Sequence, residues 1–198
     1  MSYDAMATDL ETLLDSEHLD QVCLAGHSMG GKVAMQFALT RPQRVTKLVV
    51  LDISPKPYPP KHDTILRALL ALDLSRFTAR REMEEALASE IPDLSVRRFL
   101  LKNVRRTEAG AFIWRLDLRA IADNYREISA GLCATSPWQG PALFLRGDRS
   151  DYIHDSDYAQ ITELFPHAQF AIIKGAQHWL HADAPHDVVG RITHFLGE

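Results

Sequence analysis

The stretch Gly26-His27-Ser28-Met29-Gly30-Gly31 constrains this chain more than any other. The apolar run Val22-Cys23-Leu24-Ala25 leads into it, and Val33-Ala34-Met35-Gln36-Phe37-Ala38-Leu39 leads out. The first run reads as a strand and the second as a helix, so Ser28 falls at the apex of a sharp strand-to-helix turn. The pattern is G-x-S-x-G, a nucleophile elbow. Its apex residue is strained, and glycines two positions to either side remove side chains that would clash in so tight a turn. The Ser28 hydroxyl is thereby pushed out at the carboxyl end of the strand, where open parallel sheets bind ligands. The backbone N–H of Met29, at the helix N-terminus, would face an oxyanion formed beside Ser28.

Two other readings fit the same letters. Gly26-x4-Gly31-Lys32 matches most of a phosphate-binding Walker A loop, and Leu48-Val49-Val50-Leu51-Asp52 resembles a Walker B strand. That loop needs Ser or Thr after its lysine to hold Mg²⁺, and the chain has Val33 there. The blander alternative is a Gly-rich strand–helix turn that does no chemistry.

The chain has 198 residues, 46% of them apolar, which suits a substantial core. Its net charge of −4, with both signs mixed along the chain, gives no sign of a nucleic-acid partner. No apolar run approaches the length of a membrane span, and the N-terminus lacks the basic start and apolar stretch of a leader. The expectation is a cytoplasmic protein. Cys23, in an expected buried strand, and Cys133, in a distant loop, read as small apolar fillers rather than a disulfide.

Taken in order, residues 2–16 read as a helix with Ser2 as N-cap, Asp4 in the first turn and Met6, Leu10, Leu13 and Leu14 on one face. A strand at Gln21–Ala25, the elbow, a helix to about Thr40 and a buried strand Lys47–Leu51 follow. This alternation argues for a parallel sheet with flanking crossover helices. Four prolines within residues 54–60 then force a stiff exit from the sheet. From Lys61 to about Ala130 the stripes are helical, with a short extended piece at Ala111–Trp114, and the segment is expected to form a helical cap. The basic cluster Arg97, Arg98, Lys102, Arg105 and Arg106 lies near Glu82, Glu84, Glu85 and Glu90 and reads as a solvated helix face. The sheet resumes at Pro141–Leu145, followed by a helix near Ser156–Phe165 and a strand Gln169–Ile173. A loop bearing His178 comes next, and a last helix starts at Pro185 with Val188, Val189, Ile192 and Phe195 facing inward. The core is thus expected in residues 1–57 and 137–198, with the cap in 58–136.

The Ser28 elbow, Gly147-Asp148 after a later strand and Gly175-Ala176-Gln177-His178-Trp179 after the last strand together resemble the α/β-hydrolase superfamily. Gly-His-Ser-Met-Gly-Gly-Lys, Leu-Asp-Ile-Ser-Pro and His178-Trp179-Leu180-His181-Ala182 look most like its small serine esterase branch. The resemblance covers the whole chain, in the superfamily's order Ser…Asp…His. It implies a catalytic set of Ser28 as nucleophile and His178 as general base, with Met29 donating to the oxyanion. His181 makes an H-x-x-H pair with His178, but without a third ligand no metal site is expected.

For the acid, the superfamily usually places Asp in the loop after the strand at 141–145. Here Ser150 occupies that slot, with Asp148 and Asp151 out of step. The branch also places the acid at the end of the strand beside the nucleophile strand, where Asp52 stands. Asp52 is therefore the preferred acid and Asp151 the alternative.

The resemblance also implies strands and a second oxyanion-donating loop ahead of the helix that opens this chain, so the sequence looks like the C-terminal part of such an esterase. Only four core strands are counted, and losing one oxyanion donor typically costs on the order of 10²–10³ in rate. The expected function is hydrolysis of a small acyl ester or thioester through an acyl-enzyme, with no cofactor. The alternative is an impaired hydrolase remnant that at most binds a ligand or partner.

Overall fold

The computed structural model describes residues 1–132 and 134–197. Cys133 lies outside them. In chain order the elements are α1 (Tyr3–Ser16), β1 (Val22–His27), α2 (Met29–Thr40), β2 (Val45–Leu51), α3 (Asp63–Ala71), α4 (Arg80–Ala86) and α5 (Leu94–Leu101). Then come β3 (Val104–Arg106), β4 (Phe112–Trp114), α6 (Leu118–Asp123), α7 (Tyr125–Ser129) and β5 (Ala142–Gly147). The chain closes with α8 (Tyr158–Leu164), β6 (Ala168–Ile173), α9 (Leu180–Asp183) and α10 (Pro185–Gly197). The fold is α/β, and the chain divides into two compact units, one of residues 2–58 and 130–198, the other of Met1 and residues 59–129.

The first unit is a four-stranded parallel sheet in the order β1-β2-β5-β6. Strand residues alternate between its two faces, and each face has its own cover. Leu48, Val50 and Phe144 pack with Tyr3, Ala7 and Leu14 of α1, Phe37 of α2 and Ile161 of α8. Val49, Leu51, Leu143, Leu145 and Ile173 pack with Leu180 of α9 and Val188 and Phe195 of α10. Helix α1 starts where Ser2 Oγ accepts the Ala5 N–H at 3.2 Å, the expected N-cap.

Several expected burials fail, each because of where an element sits. Leu13 is 53% exposed and Val189 61% exposed, since each lies on the rim of its helix's apolar stripe. Cys23 is exposed, not buried, with its Sγ 3.2 Å from Thr46 Oγ1. Among the described residues strand β1 pairs only with β2, and Cys23 and Ala25 lie outside the apolar cluster that α9 and α10 cover. Tyr58, residues 130–132 and residues 134–136, expected in the helical insert, group with the sheet unit. Two contacts hold them there: Tyr58 Oη donates to the Tyr152 carbonyl at 2.6 Å, and Leu132 N–H donates to the Pro55 carbonyl at 2.7 Å.

The second unit has its own core of Leu69, Leu74, Met83, Leu87, Ile91, Leu101, Val104, Phe112 and Leu118. It is not all helical, because β3 and β4 form an antiparallel hairpin. Arg105 and Arg106 therefore stand on a strand rather than on the helix face that carries Arg97 and Arg98. Arg97 donates to the Ile91 and Pro92 carbonyls and Arg98 pairs with Glu84 at 3.3 Å, so these two arginines of the basic cluster are spent on local contacts. No helix among the described residues is long and apolar enough to cross a membrane.

Candidate functional site

Ser28 joins β1 to α2 with φ 54° and ψ −123°, a backbone state that costs a non-glycine residue about 1–3 kcal/mol. Gly26 and Gly31 permit this turn, whereas Gly30, expected from sequence to remove a clash, has open space where a Cβ would lie. A Cβ on Gly26 would lie 2.3 Å from the Gly30 carbonyl oxygen, and one on Gly31 would lie 2.6 Å from the Ile53 side chain. Met29 opens α2, so its N–H lies at the positive end of the helix dipole.

Asp52 follows β2 directly, also with positive φ, 53°. Asp tolerates this left-handed state better than most residues. Its N–H donates to the Leu145 carbonyl at 2.8 Å, while Ser28 N–H donates to the Leu51 carbonyl at 3.0 Å. The ends of three adjacent strands are thus tied at one level.

His178 arrives from the loop between β6 and α9. Its Nδ1 lies 2.8 Å from Asp52 Oδ2 and its Nε2 lies 3.0 Å from Ser28 Oγ. Asp52 is fully buried, and its carboxylate accepts two further hydrogen bonds. Gly147 N–H donates to Oδ1 at 3.1 Å, and Ser150 Oγ donates to Oδ2. With Nδ1–H pointing at a carboxylate, the Nε2 lone pair faces the serine hydroxyl, which is the tautomer a general base requires.

The sequence-derived residues Ser28, Asp52 and His178 are therefore brought together, with Met29 beside them. Asp151, the alternative acid, is exposed in the loop after β5, and the carboxylate bonded to His178 is that of Asp52. Among the described residues no group of three or more His, Cys, Asp or Glu could hold a metal ion. His181 instead packs edge-on against His27, ring centroids 4.8 Å apart.

Residues 1–191 match the model of the alpha/beta hydrolase family. The chain belongs to the α/β-hydrolase family. It is 40% identical over 203 residues to an sn-1-specific diacylglycerol lipase, ABHD11, of Danio rerio, which covers 99% of this chain and 63% of that protein. It is 34% identical over 199 residues to Esterase YbfF of Escherichia coli K12, covering 100% of this chain and 76% of that protein. Among solved structures, a marine microorganism esterase superposes with a TM-score of 0.95 at 40% identity, covering 98% of this chain and 77% of that one. The chain spans just under two thirds of the length of the diacylglycerol lipase relatives it matches.

In this α/β hydrolase the loop after β5 reaches the carboxylate that His178 meets. Ser150, standing where the superfamily commonly has its Asp, turns its hydroxyl to Asp52. Two residues on, the Tyr152 ring stacks on the His178 imidazole, centroids 3.7 Å apart and planes 16° apart. Neither contact was named from sequence, although Ser150 in the acid's slot was a visible clue. Tyr152 gave none.

Lys32, one turn into α2, is 1% exposed. Its Nζ donates to the Lys56 carbonyl at 2.8 Å and to the Ala130 carbonyl, between the rings of Tyr58 and Tyr3. Burial pulls its pKa from 10.5 to about 8. This lysine ties two loop segments together and is not a phosphate ligand, so the Walker A reading falls.

Proposed function

We propose that the chain is a serine hydrolase that cleaves a carboxylic ester or thioester of a small acyl group through an acyl-enzyme on Ser28. The single observation behind this reading is His178, hydrogen-bonded at one nitrogen to Ser28 Oγ and at the other to buried Asp52. The names of relatives as esterases and as a diacylglycerol lipase support the same class.

Ser28 Oγ attacks the substrate carbonyl carbon as its proton passes to His178 Nε2. The carbonyl oxygen becomes an oxyanion facing the Met29 N–H at the N-terminus of α2. Asp52 holds the imidazolium that results. The carbon–oxygen or carbon–sulfur bond to the leaving group then breaks, and His178 Nε2 returns its proton to that group. Water then attacks the acyl carbon as His178 takes its proton, the bond to Ser28 Oγ breaks, and His178 returns the proton to that oxygen, freeing the acid.

A second reading, an impaired hydrolase that binds a ligand or partner, draws support from β1. Its outer edge has no strand partner among the described residues, leaving ladder groups open to another chain. Turnover of p-nitrophenyl acetate and butyrate separates the two. The first reading expects hydrolysis that Ser28→Ala abolishes, whereas no hydrolysis above background favours the second.

A further inference from the structure

Asp52 and Tyr152 fix the ring of His178, but neither grips the backbone that carries it. That backbone is a short turn after β6. Gly175 takes φ +75° within it, and Gln177 N–H is held by Asp183 Oδ2 at 2.8 Å. At His178 itself, the carbonyl oxygen lies 2.8 Å from Nε2 of His27. His27 is the residue immediately before Ser28. The elbow thus presents the hydroxyl to the base and, from the adjacent position, holds the base's own main chain. We infer that His27 is a positioning residue that locks the loop of the general base onto the nucleophile's elbow.

The contacts close a ring. Ser28 and His27 are covalent neighbours, His27 Nε2–H donates to the His178 carbonyl, and His178 Nε2 reaches Ser28 Oγ at 3.0 Å. The alternation of β1 puts His27 on the face that carries Cys23 and Ala25, which is the side from which the β6–α9 loop approaches. Its ring packs 4.7 Å from the His178 ring and edge-on to His181, so the imidazole is packed against two neighbouring rings.

Charge fits this role. Burial, the dominant effect, holds the His27 pKa below the usual histidine value, and neighbouring His178 and His181 push the same way. Donation to the His178 carbonyl and the charge of Asp52 oppose this without reversing it. A neutral His27 carrying its proton on Nε2 keeps the donor and adds no second cation beside the imidazolium that forms on His178.

This inference rests on the roles proposed above for Ser28 and His178, so its test includes a readout that does not need them. His27→Leu removes the donor at similar bulk, and His27→Gln keeps an N–H at similar reach. Hydrogen exchange of the peptide spanning 175–180 is expected to quicken about five- to tenfold in the Leu variant, the effect of one lost hydrogen bond, and to return toward wild type with Gln. On p-nitrophenyl butyrate, kcat is expected to fall about 10–100-fold in the Leu variant with KM unchanged, because a small misplacement of the base costs rate rather than binding. Gln is expected to recover most of it. Equal exchange in all three proteins would overturn the inference, as would equal loss in the Leu and Gln variants. If wild type neither turns over ester nor labels at Ser28, the proposed function fails, while the exchange experiment still decides the role of His27.

Discussion

Asp52→Asn changes one atom and, by the geometry around it, the tautomer of His178. Gly147 N–H is a fixed backbone donor 3.1 Å from Oδ1, so an asparagine must place its carbonyl oxygen there. Its NH₂ then occupies the Oδ2 position, 2.8 Å from His178 Nδ1. Ser150 adapts by rotating its hydroxyl to accept, but the NH₂ cannot. His178 must therefore accept at Nδ1 and carry its proton on Nε2, pointing at Ser28 Oγ, where no lone pair is left to take the serine proton. Wrong-tautomer substitutions of this kind cost about 10⁴ in kcat, equivalent to about 5.4 kcal/mol at 25 °C. KM should change little, since Asp52 is buried behind the base and does not reach substrate. Steady-state kinetics on p-nitrophenyl butyrate, with thermal melts alongside to show a folded protein, measure this directly. Asp151→Asn is the control and should stay within twofold of wild type. A folded Asp52→Asn protein within tenfold of wild type, or a larger loss in Asp151→Asn, would refute the reasoning.

Two further outcomes concern stability. With the Lys32 pKa at about 8 in the folded chain and 10.5 as its ordinary value, the unfolded state binds the extra proton between those limits. Stability should therefore rise with pH there, by about 2 kcal/mol from pH 8 to pH 10, and Lys32→Met should remove the slope in urea melts across that range. Raised pKa values at Tyr3 and Tyr58, both caused chiefly by burial, act in the opposite sense above pH 10 and set the upper limit of the window. Gly26→Ala puts a Cβ 2.3 Å from the Gly30 carbonyl oxygen, backbone against backbone. The elbow must shift, at about 3 kcal/mol or more, lowering Tm by about 6–12 °C and activity with it; a wild-type Tm would show the turn to be looser than this.

The elbow was legible because its signal is local. A Cβ on Gly26 would strike Gly30 within the same turn, and φ 54° at Ser28 is the strain that turn holds. The parallel sheet was legible for the same reason, as apolar strands alternating with helices. Choosing Asp52 over Asp151 needed more, because it depends on the register of β2 beside β5, which brings Asp52 N–H to the Leu145 carbonyl. Residue order does not contain that register, and only the family resemblance pointed to it. Cys23 misled because a strand's apolar content says nothing about which of its faces has a helix to cover it. The β3–β4 hairpin was half missed for its brevity, since Val104-Arg105-Arg106 is too short for a period-2 pattern. The stacking of Tyr152 on His178 and the grip of His27 on the His178 carbonyl join residues 26 and 151 positions apart, and no spacing rule reaches so far.

The central claim is that Ser28 is a nucleophile activated by His178 and Asp52. A fluorophosphonate tests it without knowledge of the natural substrate, because phosphonylation requires an activated hydroxyl and nothing of the acyl chain. The protein should take up one equivalent, with the adduct mapped by mass spectrometry to the peptide carrying Gly26-His27-Ser28-Met29. Ser28→Ala should abolish labelling, and His178→Ala should slow it by orders of magnitude while leaving the fold intact. Labelling at another residue, or labelling that survives Ser28→Ala, would contradict the account.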